Sequence, residues 1–211
     1  IVVVEISLQD RPAIVTGASR GIGQSIAEQF AAAGGEVVVC SRSMDRIGPV
    51  ADRITDEYEG RAVPVECDVT DGEDVRELID VAGEEFGDLR VLVNNAGGGG
   101  DAGDLLHRTD ADGYRRMLEL NLVSAFRVTN EALPAMIAAG GGSVVHIGSV
   151  NGLFGIGLTG YSEAKSGMLA LSRNLATHYG QYGIRSNVVS AGTIETESRR
   201  KEMADTEDRA E

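Results

Sequence analysis

The chain has 211 residues, of which 42% are apolar, and a formal net charge of −14. This length is enough for one substantial core, so we predict a single domain over residues 1–211. The negative charge would repel the phosphates of nucleic acids and anionic lipids, so neither is an expected partner. No apolar run approaches the ~18 residues that span a bilayer, and nothing marks the chain for export, which predicts a cytoplasmic protein.

Short apolar, β-branched runs predict six strands, at residues 12–16, 36–40, 62–66, 89–94, 143–148 and 184–189. Segments with helical periodicity lie between them, as at Ile22, Ile26 and Phe30. Continuous apolar strands that alternate with helices are typical of a parallel sheet covered on both faces. The predicted fold is therefore α/β: a Rossmann-like, doubly wound parallel sheet with its ligand site at the carboxyl ends of the strands.

A glycine-rich turn follows the first strand run directly and reads Thr16-Gly17-Ala18-Ser19-Arg20-Gly21-Ile22-Gly23. Glycines in such a turn let backbone amides approach a pyrophosphate, and the N-terminus of the following helix attracts its negative charge. The alternative is a turn with a structural role only, because three glycines at fixed offsets are weak evidence in a chain with 28 of them. The strand before the turn and the helix after it favour phosphate binding.

At this turn the sequence resembles the short-chain dehydrogenase/reductase family, whose TGxxxGIG element it matches. Residues 94–97, Asn-Asn-Ala-Gly, are similar to the family element that supports the sheet and lines the cofactor site. Asp68 and Val69 resemble the pair that contacts the adenine. The resemblance extends along nearly the whole chain. It implies a nicotinamide-dependent oxidoreductase, similar to the 3-oxoacyl-acyl-carrier-protein reductases.

The resemblance weakens toward the end of the chain. After the sixth strand run, Ala191-Gly192 stands where the family usually has Pro-Gly, although Thr196 and the backbone amide of Ile194 remain available. Losing the proline frees φ at that turn, so the nicotinamide could be held more loosely. Relatives continue through another helix and a seventh strand, so the resemblance implies that these elements are missing after Glu211.

An acidic residue at the end of the second strand would bind a ribose 2′-hydroxyl and exclude a 2′-phosphate. Here the sequence reads Cys40-Ser41-Arg42, without a carboxylate. Arg42 and Arg20 offer guanidinium groups for that phosphate, so NADP(H) is the preferred cofactor and NAD(H) the alternative. The predicted cofactor contacts are Gly17, Ser19, Arg20, Gly21, Ile22, Gly23, Ser41, Arg42, Asp68, Val69, Asn95, Ala96, Gly97, Tyr161, Lys165, Gly192, Ile194 and Thr196.

Tyr161 and Lys165 lie four residues apart in a segment of helical character, so both side chains project from one face. An ammonium ~5 Å from a phenol supplies about 3 kcal/mol toward ionising it, which makes this pair a candidate for proton transfer. The resemblance implies four catalytic residues: Tyr161 as acid or base, Ser149 orienting the carbonyl, Lys165 on the nicotinamide ribose, and Asn121 holding a water that links Lys165 to solvent. An exposed helical pair without catalytic function is the alternative.

Cysteines and histidines do not form a metal-binding pattern. Cys40 and Cys67 each end an apolar run and are expected to be reduced, buried thiols. His107, His146 and His178 lack metal-ligand spacing, so we expect surface or core histidines and no metal.

The predicted function is an NADP(H)-dependent oxidoreductase that acts on a carbonyl or secondary alcohol of a small molecule, with a 3-oxoacyl thioester as one candidate substrate. A sugar, steroid or other secondary-alcohol dehydrogenase of the same family is one alternative, and a non-catalytic dinucleotide-sensing protein is another. The resemblance also implies a homodimer or homotetramer, assembled through the helices that contain Asn121 and Tyr161.

Overall fold

Strands and helices alternate along the chain in the computed structural model, which describes residues 6–99 and 105–196. The strands are β1 (Ala13–Thr16), β2 (Val37–Ser41), β3 (Ala62–Glu66), β4 (Val91–Asn94), β5 (Gly142–Ser149) and β6 (Ile184–Ala191). They form one parallel sheet in the order β3-β2-β1-β4-β5-β6. The predicted doubly wound fold is confirmed, and β6 runs two residues past its predicted end.

Helices connect the strands on both faces of the sheet. They are α1 (Gly21–Ala32), α2 (Met44–Glu57), α3 (Gly72–Phe86), α4 (Ala111–Leu118), α5 (Ser124–Ala138), α6 (Asn151–Phe154) and α7 (Tyr161–Tyr179). A π-helical turn, Glu119–Val123, joins α4 to α5. Within the two described ranges, no helix is both long and apolar enough to cross a membrane.

The alternation of side chains along the strands builds two cores. In β1, Ile14 joins the core formed with α3, α5 and α7, while Ala13 and Val15 join the core formed with α1 and α2. Both cores are closed to solvent at their centres, and Cys40 and Cys67 are buried in the first of them, as predicted. The central strands β1 and β2 are buried almost throughout, as expected for strands covered on both faces, whereas the edge strands β3 and β6 are only partly buried.

The chain changes direction at β1. It passes from β1 through α1 to β2 on one side, then returns through α3 to β4 on the other side. The connections that leave the carboxyl ends of β1 and β4 therefore lead to helices on opposite faces of the sheet, which opens a crevice for a ligand. The glycine turn follows β1, and residues 95–97 follow β4, so the two predicted cofactor elements meet at this crevice.

Some sequence-based predictions lie outside the described residues. They concern the ends of the predicted domain, Gly100 within the glycine run that follows β4, and the segment that leads to Glu211.

Candidate active site

The glycine turn packs tightly against the segment after β4. Gly17 and Gly21 have φ values of +65° and +59°, a conformation that glycine adopts readily. A Cβ on Gly17 would lie 2.9 Å from the Cα of Ala96, and a Cβ on Gly23 would overlap the side-chain amide of Asn95. Glycine is therefore required at these positions by backbone conformation and by space.

Hydrogen bonds join the glycine turn to the segment after β4. The Thr16 hydroxyl accepts from the backbone amides of Asn95 and Ala96, both at 3.0 Å. In return, the Asn95 side-chain amide donates to the carbonyl oxygens of Thr16 at 2.9 Å and Gly17 at 3.0 Å. Thr16 itself is buried. The turn is thus held in position before any ligand arrives.

The N-terminus of α1 is suited to an anion. Its capping residue, Arg20, makes no side-chain capping bond, and its first turn contains no acidic residue. By contrast, Asp71 caps α3 and accepts from the amides of Glu73 at 2.7 Å and Asp74 at 3.3 Å. Backbone amides and the helix dipole at α1 therefore face the crevice, where the glycine cradle fits the pyrophosphate of a dinucleotide.

Two adjoining cavities extend along the carboxyl edge of the sheet. The first, which we call the Tyr161 cavity, has a volume of about 710 Å³ and contains the predicted residues Gly17, Arg20, Gly21, Ile22, Gly23, Asn95, Gly97, Ser149, Tyr161, Lys165, Gly192, Ile194 and Thr196. The second, the Arg42 cavity, has a volume of about 460 Å³ and adds Ser19, Ser41, Arg42, Asp68, Val69 and Ala96. Every residue predicted to contact the cofactor lines one of the two.

Tyr161 and Lys165 lie in the first two turns of α7, and their four-residue spacing predicted that they share a helix. Gly160, with a φ of +84°, precedes the helix, and its amide donates to the Glu163 carboxylate at 2.7 Å, which fixes the first turn. The side chain of Lys165 is only 3% exposed. Its Nζ donates to the carbonyl oxygen of Ile147 at 2.8 Å and lies 5.6 Å from the centre of the Tyr161 ring.

Burial controls the pKa values of this pair. It raises the pKa of Tyr161, and a hydrogen bond with the Ser149 side chain opposes that rise. It also lowers the pKa of Lys165 to about 8, because the ammonium loses water. The sequence had predicted a lowered pKa for Tyr161 from the neighbouring ammonium. In the structure, desolvation is the larger effect, and the phenol holds its proton at neutral pH.

Ser149 and Asn121 occupy different positions relative to the Tyr161 cavity. Ser149 ends β5 and lines the cavity, and its Oγ accepts from the amide of Asn151 at 3.2 Å. Asn121 is fully buried in the π-helical turn and lines neither cavity. Its amide donates to the carbonyl oxygens of Gly98 at 3.0 Å and Met117 at 3.1 Å, and its Oδ1 accepts from the Gly98 amide at 2.9 Å. Asn121 thus supports the cavity wall from behind.

The sequence as a whole matches a known family model, described as short chain dehydrogenase, over residues 11–207. This match covers both cavities and nearly every element of the described fold. The chain belongs to the short-chain dehydrogenase family.

Curated members of this family are similar to the chain over most of its length. A 3-oxoacyl-acyl-carrier-protein reductase of Salmonella typhimurium is 36% identical, with 92% of this chain and 78% of the relative covered. The 7alpha-hydroxysteroid dehydrogenase of Escherichia coli is also 36% identical, with 90% of this chain and 74% of that one covered. Relatives at similar identity therefore act on different substrates.

A solved structure is similar in fold as well as in sequence. The L-sorbose reductase of Gluconobacter frateurii, complexed with NADPH and L-sorbose, has a TM-score of 0.88 and 29% identity, and the match covers 92% of this chain and 74% of the other. A 7 alpha-hydroxysteroid dehydrogenase complexed with NADH is also similar, with a TM-score of 0.84 and 34% identity over 93% of this chain and 76% of the other. Members of the short-chain dehydrogenase family thus bind either nicotinamide dinucleotide.

Sequence analysis of this short-chain dehydrogenase missed Arg46. Arg46 lies in the first turn of α2 and lines the Arg42 cavity together with Arg42, Arg20 and Ser43. All three arginines are exposed. Arg42 precedes Ser43, the capping residue of α2, and Arg46 lies in the first turn of that helix. The point at which α2 begins therefore decides that both line one cavity, and the four-residue spacing alone does not.

Sequence analysis also left His146 without a role. It is fully buried in β5, where its Nδ1 lies 3.2 Å from the side-chain amide of Asn94, and that amide also donates to the Thr129 hydroxyl at 2.9 Å. Burial lowers the pKa of His146 to about 4, and the charge of Lys165 adds to that effect. His107 and His178 are exposed, and no group of three metal-binding side chains occurs in the described part of the chain.

The turn after β6 departs from the usual family sequence, yet its backbone is held. Ala191 stands in place of the usual proline, remains part of β6 and pairs with Ser149. Its carbonyl oxygen accepts from the Val150 amide at 3.0 Å. Strand pairing therefore supplies part of the restraint that a proline ring would give.

Proposed function

We propose that the protein is an NADP(H)-dependent carbonyl reductase, which in the reverse direction oxidises secondary alcohols. The observation that carries this proposal is the Tyr161 cavity, in which Tyr161, Ser149 and Lys165 face the glycine turn of α1. An acid, a carbonyl-orienting hydroxyl and a pyrophosphate cradle in one crevice are what carbonyl reduction by a dinucleotide needs.

The chain's own residues would hold the dinucleotide along the carboxyl edge of the sheet. Gly17, Gly21 and Gly23 receive the pyrophosphate, while Asp68 and Val69 contact the adenine in the Arg42 cavity. At the other end, Lys165 binds the nicotinamide ribose, and Gly192, Ile194 and Thr196 hold the carboxamide. When bound, the nicotinamide supplies or accepts a hydride at the reacting carbon.

Tyr161 donates the proton in the reduction direction. Burial raises the pKa of its hydroxyl, which keeps the proton on the oxygen until the carbonyl oxygen gains negative charge. Ser149 hydrogen-bonds the same carbonyl oxygen and orients it. Once the proton leaves, the ammonium of Lys165 stabilises the phenolate by about 3 kcal/mol, for a separation of ~5 Å at an effective dielectric of ~20.

Asn121 acts on this site through its neighbours. Its amide group bonds both the carbonyl oxygen and the amide of Gly98 and so fixes the loop behind Lys165. Its Oδ1 has a second lone pair, which could accept from the water that links Lys165 to solvent. The Asn121 role in proton supply is part of this proposal.

NADP(H) is the proposed cofactor because three guanidinium groups line the Arg42 cavity, at Arg20, Arg42 and Arg46. Ser41 lines the same cavity, and its hydroxyl donates to the carbonyl oxygen of Ser43 at 3.0 Å. Guanidinium groups bind phosphate through paired hydrogen bonds, and a hydroxyl at position 41 does not repel it as a carboxylate would.

The protein is proposed to work in the cytoplasm as a homo-oligomer. Cys40 and Cys67 are free thiols, which suits a reducing compartment. Phe126 on α5 is 54% exposed and Ala176 on α7 is exposed, and these apolar side chains would allow helix packing between subunits. Light scattering after gel filtration measures the oligomeric state directly, and a monomer would contradict this part of the proposal.

The consumption of NADPH tests the function. We expect the purified protein to oxidise NADPH with ketones or 3-oxoacyl thioesters, and to use NADH at least about tenfold less efficiently, as expected for the loss of one charge-assisted phosphate contact. Tight NADPH binding without turnover of any sugar, steroid or other ketone would instead favour a dinucleotide sensor. A clear preference for NADH would contradict the assignment of the arginines.

A further inference from the structure

Two apolar side chains from different elements line the Arg42 cavity. Val69 belongs to the loop after β3, and Leu120 belongs to the π-helical turn between α4 and α5. Both pack against the core formed with α3, α5 and α7. A pocket whose walls are held in place binds a flat ring more tightly than one whose walls must first be ordered, because less freedom is lost on binding. The groups that hold these two elements together therefore bear on adenine binding.

Arg127, near the start of α5, connects the two elements. Its Nη1 donates to the carbonyl oxygen of Val69 at 3.1 Å, and its Nη2 donates to the Glu119 carboxylate at 2.7 Å. Glu119 directly precedes Leu120 in the π-helical turn. A guanidinium is planar and presents its N–H groups in fixed directions, so these two contacts set the position of the loop relative to the turn.

Arg127 lies behind the cavity and not in its wall. Neither Arg127 nor Glu119 belongs to the described residues that line the Tyr161 cavity or the Arg42 cavity. Their side chains are 26% and 41% exposed, so water only partly screens the pair. A hydrogen bond from a charged donor is also stronger than one between neutral groups. Arg127 can therefore act on a bound adenine only through Val69 and Leu120.

The loop after β3 owes its own shape to other hydrogen bonds. The amide of Asp68 donates to the Asp74 carboxylate at 2.8 Å, and the Asp68 carboxylate accepts from the amide and the hydroxyl of Thr70 at 2.9 Å and 2.7 Å. These bonds lie within the loop or join it to α3. Loss of Arg127 should therefore leave the loop folded and remove its link to the π-helical turn.

We propose that Arg127 is a positioning residue for the adenine half of the cofactor, because it holds Val69 and Leu120 at a fixed separation. This inference rests on the dinucleotide site of the proposed function. The nicotinamide half binds in the Tyr161 cavity, which Arg127 does not line. Asn121, in the same π-helical turn as Glu119, keeps its own hydrogen bonds to Gly98. Loss of Arg127 should thus weaken cofactor binding and spare the chemical step.

Adenosine 2′,5′-bisphosphate carries the adenine half of NADPH alone, and its binding tests the inference without turnover. In calorimetry, Arg127→Met is expected to raise the Kd of this compound about tenfold, as for the loss of one charged hydrogen bond. With a ketone that the wild type reduces, the KM for NADPH should rise by a similar factor, while kcat at saturating NADPH stays within about twofold of the wild-type value.

Variants of the ion-pair partner and a matched control locate the effect. Glu119→Gln retains an oxygen that can accept from Arg127, so it should raise the Kd less than about twofold, whereas Glu119→Ala should raise it about threefold or more. Arg115→Met is the control. Arg115 lies on α4, is 73% exposed and pairs with Asp112 at 2.7 Å, and its replacement is expected to leave the Kd unchanged.

The outcomes separate this inference from the proposed function. An unchanged Kd for adenosine 2′,5′-bisphosphate in Arg127→Met overturns the inference. If circular dichroism shows that this variant does not fold, an unchanged Kd in Glu119→Ala overturns it instead. A fall in kcat as large as the rise in KM also overturns it, because Arg127 would then support the whole crevice.

Results for the wild type decide the function. Failure of the wild type to bind adenosine 2′,5′-bisphosphate contradicts the proposed cofactor site and the inference with it. Binding without turnover of any carbonyl compound contradicts the reductase function alone, and the Kd values of the variants still decide the role of Arg127.

Discussion

The two ends of the cofactor crevice present positive charge in opposite ways. At the Tyr161 end, one ammonium on Lys165 is almost completely buried and held by the carbonyl oxygen of Ile147. At the Arg42 end, Arg20, Arg42 and Arg46 are exposed to water. A buried charge acts strongly on its neighbours and is costly to maintain, whereas exposed charges are screened by water and salt.

The comparison explains why one lysine serves at one end and three arginines at the other. At the Tyr161 end, the single charge of Lys165 would stabilise the Tyr161 phenolate by about 3 kcal/mol, for a separation of ~5 Å at an effective dielectric of ~20. At the Arg42 end, each solvent-exposed guanidinium adds only a modest free energy of phosphate binding, so several are needed to hold a phosphate. Variants at the two ends should therefore differ in the size of their effects and in their dependence on salt.

Removal of the buried charge should have the largest effect. We expect Lys165→Met to lower kcat/KM for carbonyl reduction by roughly 100- to 1,000-fold, because the phenolate of Tyr161 loses its electrostatic stabilisation. Rates measured at several salt concentrations check the contrast with the exposed end, since the loss should hardly change with salt. A loss of less than tenfold would contradict the role given to Lys165.

The same substitution should stabilise the fold. The pKa of Lys165 is about 8 in the folded protein against 10.5 for the ordinary side chain, so the unfolded chain binds more protons between these values. The free energy of unfolding of the wild type should therefore rise by about 3 kcal/mol from pH 8 to pH 10.5 through this group. Urea denaturation at pH 7 and pH 10 should show this rise in the wild type and not in Lys165→Met, which should also be the more stable protein at pH 7.

His146 offers the corresponding test in acid. Its pKa is about 4 when folded and 6.5 ordinarily, so between these values the unfolded chain binds more protons. Wild-type stability should thus fall by about 3 kcal/mol as the pH drops from 6.5 to 4 through this group. His146→Asn should lose this contribution while keeping a polar partner for Asn94. Equal slopes of unfolding free energy against pH in the two proteins would contradict the neutral, buried state of His146.

Changes at the exposed end should be smaller. Arg42→Ala and Arg46→Ala are each expected to reduce the preference for NADPH over NADH by roughly tenfold, because one charge-assisted contact is lost. The reduction should shrink at high salt. Arg76→Ala serves as a control, since Arg76 is exposed on α3 and pairs with Glu73. An unchanged preference in both cavity variants would exclude these arginines from phosphate recognition.

Sequence patterns located the sheet and the buried end of the crevice well. Residues 36–40 were predicted as a strand and form most of β2, because a strand buried on both faces is continuously apolar. The four-residue spacing of Tyr161 and Lys165 placed both side chains at the same cavity, since a helix brings such positions to one face.

Other features depend on three-dimensional packing and could not be read from spacing. The hydrogen bonds of Asn121 to Gly98 arise from the π-helical turn that contains Asn121, and no sequence pattern predicted them. Arg46 joins Arg42 only because α2 begins at Met44. The pKa of Tyr161 depends on how much water is excluded from the cavity, and a sequence does not give that quantity.

The central claim is that the hydroxyl of Tyr161 delivers the proton to the carbonyl oxygen. The most direct test is a single-turnover reduction by wild type and Tyr161→Phe, each saturated with NADPH, with the Kd for NADPH measured in parallel. The account predicts that the variant still binds NADPH and reduces the ketone roughly 100- to 10,000-fold more slowly, the usual contribution of a general acid. Reduction at the wild-type rate by Tyr161→Phe would contradict it.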